Sequence, residues 1–515
     1  LKVSHQFAKR TVGLSFVLCL GSALFFGWKS EVSQGGVRPV VPVSKSTAGP
    51  ARTLMQMPTL VDIGSALFND VNLSNPPGQS CASCHGAEAG FKMPLQRVNV
   101  QSGIAPGAVK GRFESRIPPT INYAVYLPGG PPHFTSINEA FIGGLFWDGR
   151  ATGLNDQVHF PLENPNEMNN TTGLTAIVSK VEQGETAWMF RSIYGPHVFD
   201  TNNSLGVFNL ITQALAAYES SPEISPFSSK YDQFIHGKVK LTNSEWNGLR
   251  LVTGSTTGRP GGPPNYKSAH CVDCHGIPID PANGPDLWTN SCYGNIGVPR
   301  NLKNPYYTMT SAAADPKGFN PLGAAFVDLG LGGSFYPFQY NLPPGNMGAG
   351  SNGQGDFLLI NGDFKAPTLR NVDKRPNPGF VKRYTHNGYF TDLKTIVHFY
   401  NTRNLTTYPG EVIDFTAAQP YANLKGTPLW PPPEYPNPIT LQNPTGAPNS
   451  QSAQVGNLGL TNAEENDIVA FLKTLTDGYG PGYPVALPAP AAPQTQTATA
   501  DQLKQAAMRS HHTHR

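Results

Sequence analysis

The sequence predicts a mainly α-helical protein of two modules with long irregular loops, and three observations carry that reading. Two C-x-x-C-H runs, Cys81-Ala82-Ser83-Cys84-His85 and Cys271-Val272-Asp273-Cys274-His275, stand far apart in the chain. A helix-like stretch precedes each run. Gly and Pro are abundant (54 and 49 of 515 residues) while charged residues make up only 14%. That balance favours ordered loops over long, charge-studded surface helices.

The C-x-x-C-H spacing is that of covalent haem attachment. Two thiols two residues apart reach the two vinyl groups of one haem, and the adjacent histidine lies under the iron as its proximal ligand. A four-cysteine zinc site also uses C-x-x-C pairs, but it needs neither a histidine after both pairs nor so long a gap between them. Two c-type haems are therefore expected, one on Cys81, Cys84 and His85, the other on Cys271, Cys274 and His275. Each module reads as a cytochrome c-like haem domain.

The length fits two or three domains of a folded protein. A net charge of +3 with no Lys/Arg run gives no sign of a nucleic-acid partner. Lys9-Arg10 followed by the apolar run Val12 to Trp28 reads as an export signal or an uncleaved N-terminal membrane anchor. Covalent haem attachment occurs outside the bacterial cytoplasm, so motif and leader agree on a periplasmic protein, with a membrane tether if the leader is kept.

Along the chain, residues 1–28 form this leader and 29–58 a Pro/Val/Ser linker. The first haem domain spans 59–225, opening with a helix over Val61–Phe68 and closing with one around Leu210–Tyr218. The second spans 226–478, with 222–240 as the boundary region. Its first helix starts near Thr242, where Glu245 three residues on completes a capping box. Its last helix is capped by Thr461 and Glu464, carries Ile468, Phe471, Leu472 and Leu475 on one face, and ends at Gly478. Residues 310–355 and 417–458 are insertions, and 479–515 an Ala/Pro/Gln tail.

In this frame the sequence resembles the bacterial di-haem cytochrome c peroxidase family, including its MauG branch, over roughly residues 60–476. The resemblance rests on ordered blocks around the two haem motifs. They include Arg116-Ile117-Pro118-Pro119-Thr120-Ile121-Asn122, Phe146-Trp147-Asp148-Gly149-Arg150, Asn295 to Asn301, Pro367-Thr368-Leu369-Arg370-Asn371, His386-Asn387-Gly388 and Phe399-Tyr400-Asn401. It implies that Trp147 lies between the haems as a bridge for electron transfer. Gln157 and Glu167, ten and twenty residues further on, would line the open face of the first haem. There Glu167 would take the proton of hydrogen peroxide and return it to the leaving oxygen, with Gln157 hydrogen-bonding the peroxide or holding Glu167.

The resemblance also bears on ligands. Family members that need prior reduction block the first haem with a loop histidine before the Arg-x-Pro-Pro-Thr block. Residues 86–115 contain no histidine, so the first haem is expected to be open, and His133 reads as a loop residue. Fourteen residues after His386, where the peroxidases carry a methionine, this chain has Tyr400, as MauG does. Tyr400 is thus the expected sixth ligand of the second haem, ahead of Met309, Met347 and His398. The family's calcium ion between the haems would use the Asn122 side chain and the carbonyls near Val381 and Arg383, where this chain departs from the family's Thr and Pro. Cys292 reads as a small buried apolar residue.

The expected function is peroxide reduction at the first haem, with electrons relayed through the second from a small cytochrome or copper protein. The alternatives are MauG-type oxidative modification of Trp or Tyr residues in a partner protein, and a di-haem electron carrier without peroxide chemistry.

Overall fold

The computed structural model describes residues 57–135, 140–200, 203–258, 266–276, 285–309, 320, 322–335, 360–405, 430–435 and 455–480. The leader, most of both insertions, nearly all of the tail, and Met347 lie outside them. Among the described residues the fold is mainly α. Strands are limited to two short antiparallel pairs, His133–Thr135 with Ala140–Ile142 and Tyr293–Gly294 with Phe364–Lys365. No helix among these residues is long and apolar enough to cross a membrane.

Two hydrophobic cores form, and each is organised by a crossing pair of helices. In the first, Leu60–Asn69 starts at Thr59, whose hydroxyl accepts the Asp62 N–H while the Asp62 carboxylate accepts the Thr59 N–H. Ile63, Leu67 and Phe68 are buried against the Ser204–Glu219 helix, which Asn203 caps. Each such side chain contributes about 1.5–3 kcal/mol on leaving water. Gly64 lies where the two helices meet, and a Cβ there would run into the Ala214 carbonyl. The helix Leu174–Gln183 adds Ile177, Val178 and Val181.

The second core repeats the plan. Asn243–Thr253, capped by Thr242 with Glu245, crosses Asn462–Lys473, capped by Thr461 with Glu464. Gly248 occupies the contact, its missing Cβ leaving room for the Asp467 carbonyl. Leu249 and Val252 pack with Ile468, Phe471 and Leu472. The helix Leu393–Thr402, capped by Asp392, lies beside them and buries Leu393, Val397 and Phe399. The first core draws on residues from Ile63 to Ile224 and the second on residues from Tyr231 to Leu475.

Two local expectations are corrected. The last helix ends at Lys473 rather than at Gly478, because the Thr474 hydroxyl bonds the Phe471 carbonyl and turns the chain. The residues beyond are needed elsewhere: the buried Asp477 accepts hydrogen bonds from Tyr123 Oη (2.6 Å), Asn371 Nδ2 (2.6 Å) and Ser228 N (2.7 Å). The boundary region 222–240 also holds a capped helix, Lys230–Ile235. Tyr231 packs on Trp288 and Phe471, and Asp232 makes a two-pronged ion pair with the buried Arg370 (2.8 and 3.0 Å).

Candidate active site

Cys84 and His85 of the first haem motif line an open cavity with about 1250 Å³ of empty space, solvent at its mouth included. Gly86 N bonds the Lys92 carbonyl and Phe91 N bonds the Gly86 carbonyl, with Phe91 in the left-handed region (φ 53°). This tight loop places the Phe91 carbonyl 3.0 Å from His85 Nδ1. A carbonyl can only accept, so Nδ1 carries the proton and Nε2 keeps the lone pair a metal needs. Burial lowers the affinity of His85 for a second proton, against the pull of the Phe91 and Pro119 carbonyls. The second motif repeats the arrangement beside a larger cavity of about 1770 Å³, with His275 Nδ1 3.0 Å from the Pro367 carbonyl. Burial holds His275 neutral, its pKa down to about 4.

All four motif cysteines are free thiols. Burial, reinforced by nearby acidic groups, pushes Cys84 and Cys271 up to about 12. Cys84 and His85 line one cavity and Cys271, Cys274 and His275 the other, so the two pairs do not converge as a four-cysteine zinc site requires. Cys81 packs against the first core beside its motif partners, and each cavity sets a motif thiol and a motif imidazole with Nε2 available against a largely apolar wall. That set fits a covalently attached haem: the cysteines would hold it and the histidine would ligate its iron.

Glu167 and Gln157 line the first cavity with His85. Gln157 ends the short helix Leu154–Gln157. Glu167 lies in a turn closed by its N–H to the Asn164 carbonyl (3.0 Å), and its own carbonyl accepts the Ala108 N–H (2.7 Å). Burial, then the Glu114 carboxylate, raise Glu167 to about 8, while Arg150 and Asn164 oppose the shift. Asn164 Nδ2 bridges the two acids, at 2.8 Å from Glu167 Oε2 and 2.6 Å from Glu114 Oε1. Arg150 stacks on Phe146 at 3.9 Å and pairs with Asp148 at 3.0 Å. Sequence reasoning missed Glu114 and Asn164. Asn164 had a signal in its Asn-Pro-Asn turn before Glu167, whereas Glu114 had none.

Trp147 borders both cavities. Its indole N–H donates to the Ile117 carbonyl (2.9 Å), and its own carbonyl accepts the Lys365 N–H (2.9 Å). Lys365, Ala366 and Pro367 also line both cavities, so the backbone that orients His275 forms part of the shared wall. Lys365 is buried, bonded to the Gly143 carbonyl (2.8 Å), and lowered to about 7 by burial.

Tyr400 lines the second cavity with Cys271, Cys274 and His275. Burial, then the two motif cysteines, push its phenol well above the usual range, against Arg403. The rival ligands are engaged elsewhere. Met309 Sδ accepts the Phe113 N–H (3.2 Å) in a cluster with Tyr306 and Tyr307. His398 Nδ1 lies 2.8 Å from the buried Glu465. His133 is not in a loop but opens the His133–Thr135 strand, paired with Ile142, and is exposed with Nδ1 on the Pro131 carbonyl. Cys292 is buried beside Cys274 and lines the same cavity.

The calcium position fits poorly. The Asn122 side-chain oxygen already accepts from Asn371 Nδ2 (3.2 Å) and Thr120 Oγ1 (3.3 Å). The Arg383 carbonyl accepts from Lys92 Nζ (3.2 Å).

A profile of the di-haem cytochrome c peroxidase family matches residues 58–240. The methylamine utilization protein MauG of Paracoccus denitrificans is 30% identical over 427 residues, covering 81% of this chain and 88% of that protein. Cytochrome-c peroxidase IdrP2 of Denitromonas iodatirespirans is 27% identical over 357 residues, 66% of this chain and 73% of that protein. The crystal structure of the diheme peroxidase BthA from Burkholderia thailandensis superposes with a TM-score of 0.56 at 29% identity, covering 82% of this chain and 86% of BthA. The chain belongs to the di-haem cytochrome c peroxidase family that includes MauG. It is a di-haem peroxidase-type oxidoreductase, and family membership implies two c-type haems.

Proposed function

We propose that this protein reduces hydrogen peroxide at a haem held by Cys81, Cys84 and His85, and exchanges electrons through a second haem held by Cys271, Cys274 and His275. Two cytochrome c-like domains, residues 59–225 and 226–478, hold one haem each, and the protein works in the periplasm. The observation that carries the reading is the first cavity. It brings a neutral His85 and a Glu167 that titrates close to neutrality into one hollow, and among the described residues no other histidine or methionine lines it.

Held by Cys81, Cys84 and His85, a haem would supply the redox-active iron for cleaving the O–O bond. The chain supplies the proton path. Glu167 accepts the proton of hydrogen peroxide on a carboxylate oxygen and returns it to the departing oxygen, which leaves as water. A carboxyl group near 8 suits both halves of that task around neutral pH. Asn164 fixes one Glu167 oxygen, and Gln157 offers an amide to the peroxide. Trp147, bordering both cavities, relays electrons between the haems. Tyr400 would be the sixth ligand of a haem bound in the second cavity, where an anionic oxygen donor would favour oxidised iron over reduced.

Two electron sources are compatible with this site. A small cytochrome or copper protein makes the enzyme a peroxide scavenger. The placement of Tyr400 in the second cavity favours the other reading, in which Trp or Tyr side chains of a partner protein supply the electrons, as the resemblance to MauG implies.

The test is the absorption and EPR spectrum of the air-oxidised protein before and after one equivalent of peroxide, with no reductant added. The expected result is a high-spin ferric signal that disappears at once. A reaction seen only after one-electron reduction would mean that the first haem is blocked, and no reaction in either state would leave a di-haem electron carrier.

A further inference from the structure

We propose that Lys92 supplies the cation between the two haem cavities, in the place where the family resemblance implies calcium, and that the protein binds no calcium there. Lys92 Nζ donates to the Arg383 carbonyl, one of the oxygens calcium would need. The same ammonium lies 6.0 Å from the Trp147 ring and 5.9 Å from the Tyr384 ring, beside the wall the two cavities share. Lys92 itself lines the second cavity.

Two further basic side chains belong to the same place. Lys382 is buried, with Nζ on the carbonyls of Asn371 (2.7 Å) and Lys374 (2.9 Å), and burial together with the neighbouring Lys92 holds its pKa well below the usual lysine value. Arg383 is buried, and its guanidinium bonds the Asn99 (2.6 Å) and Val100 (3.0 Å) carbonyls at the C-terminal end of the Gln96–Gln101 helix. That is the favourable end of a helix dipole for a positive charge. Among the described residues none of the three side chains ion-pairs with a carboxylate; backbone carbonyls hold them all.

A divalent cation added here would face a fixed ammonium across a poorly solvated space, with two of its implied ligands already engaged. Lys92 has three N–H donors and one protein acceptor, which leaves donors for the cavity it lines. A haem bound in that cavity would bring carboxylates that could accept from them. Arg383, standing where the family has Pro, thus belongs with Lys92 to one arrangement: tethered positive charge replaces bound metal. A fixed cation beside Trp147 also disfavours a lasting positive charge on the indole, so charge passes to the haems instead of resting on the tryptophan.

The inference rests on the family assignment and not on the identity of the second haem's sixth ligand. The experiment takes the holoprotein, confirms two haems per chain by pyridine haemochrome assay, and dialyses it first against EGTA and then against calcium. Calcium is counted by mass spectrometry after gel filtration, and thermal stability is measured in both states. Calcium far below one ion per chain and an unchanged melting temperature are expected. One ion per chain retained through gel filtration, with a melting temperature that falls on chelation, would overturn the proposal. Lys92→Met then tests the charge: the reduction potential of the second haem should fall relative to wild type and be restored towards it in Lys92→Arg. An unchanged potential in folded, fully haem-loaded Lys92→Met would remove Lys92 from this role. If Lys92→Met does not fold, the calcium count on the wild-type protein still decides.

Discussion

Glu167 shares its surroundings with a second carboxylate, Glu114, and with the guanidinium of Arg150, and the balance among them sets the pH at which the site works. Burial and Glu114 outweigh Arg150 and Asn164, so the group titrates near 8. A base is active only when deprotonated, so the rate of the peroxide reaction should rise with pH through about 8. Stopped-flow rates across pH 6–10 would show it. Glu167→Gln should slow the reaction by roughly 10²–10⁴-fold and abolish the inflection. Glu114→Gln removes a like charge and should move the inflection towards acid; an unmoved inflection would mean that Glu114 does not sense Glu167. The same raised pKa has a stability consequence of defined sign. The folded state holds this proton longer than the unfolded chain, so the contribution of Glu167 to stability is complete below about 4.5 and is lost as pH rises to about 8. Melting temperatures of wild type and Glu167→Gln should therefore diverge in favour of the variant across that window.

At the scale of elements, each core depends on a helix crossing close enough to exclude a side chain. Gly in a helix interior costs about 1 kcal/mol relative to Ala, yet at Gly64 and Gly248 the order reverses because a Cβ would strike the partner's backbone carbonyl. Gly64→Ala and Gly248→Ala should each destabilise by about 1–3 kcal/mol, the range for overpacking, as read from chemical denaturation. A gain in stability at either position would mean that the helices do not cross there. Thr461→Ala should cost about 1 kcal/mol through loss of the cap on Glu464 N. The capped helices are legible from sequence because capping boxes and apolar spacing are local patterns. The helix Lys230–Ile235 carries such a box in Ser229 and Asp232, but it is too short for apolar spacing to mark it and follows a Pro/Ser-rich stretch. Its place is set by Tyr231 against Trp288 and by Asp232 against Arg370, partners far along the chain. The same holds where the last helix stops: Asp477 is held by Tyr123, Asn371 and Ser228, contacts no local pattern encodes.

For the whole molecule, the arrangement that matters is two cavities sharing one wall. Trp147 belongs to both, so Trp147→Leu should keep two haems per chain while slowing the exchange of oxidising equivalents between them. Rapid-scan spectra after one equivalent of peroxide would then show the first haem changing alone; simultaneous change at both would take Trp147 out of the path. Cys84→Ala should lower covalent haem to about one per chain in denaturing gels stained for haem, since the second motif stands on its own cavity.

By itself the sequence determines how the cofactors are attached and what class of protein holds them. Thioether chemistry needs two cysteines and a histidine within five consecutive residues, and nothing distant can supply or cancel them. Only the tertiary structure decides that Glu114 raises Glu167, that Phe91 and Pro367 orient the two histidines, and that Lys92 lies on the Arg383 carbonyl. Those pairings are set by which groups are buried together, and the electrostatics of a buried group depend on neighbours that chain order does not reveal.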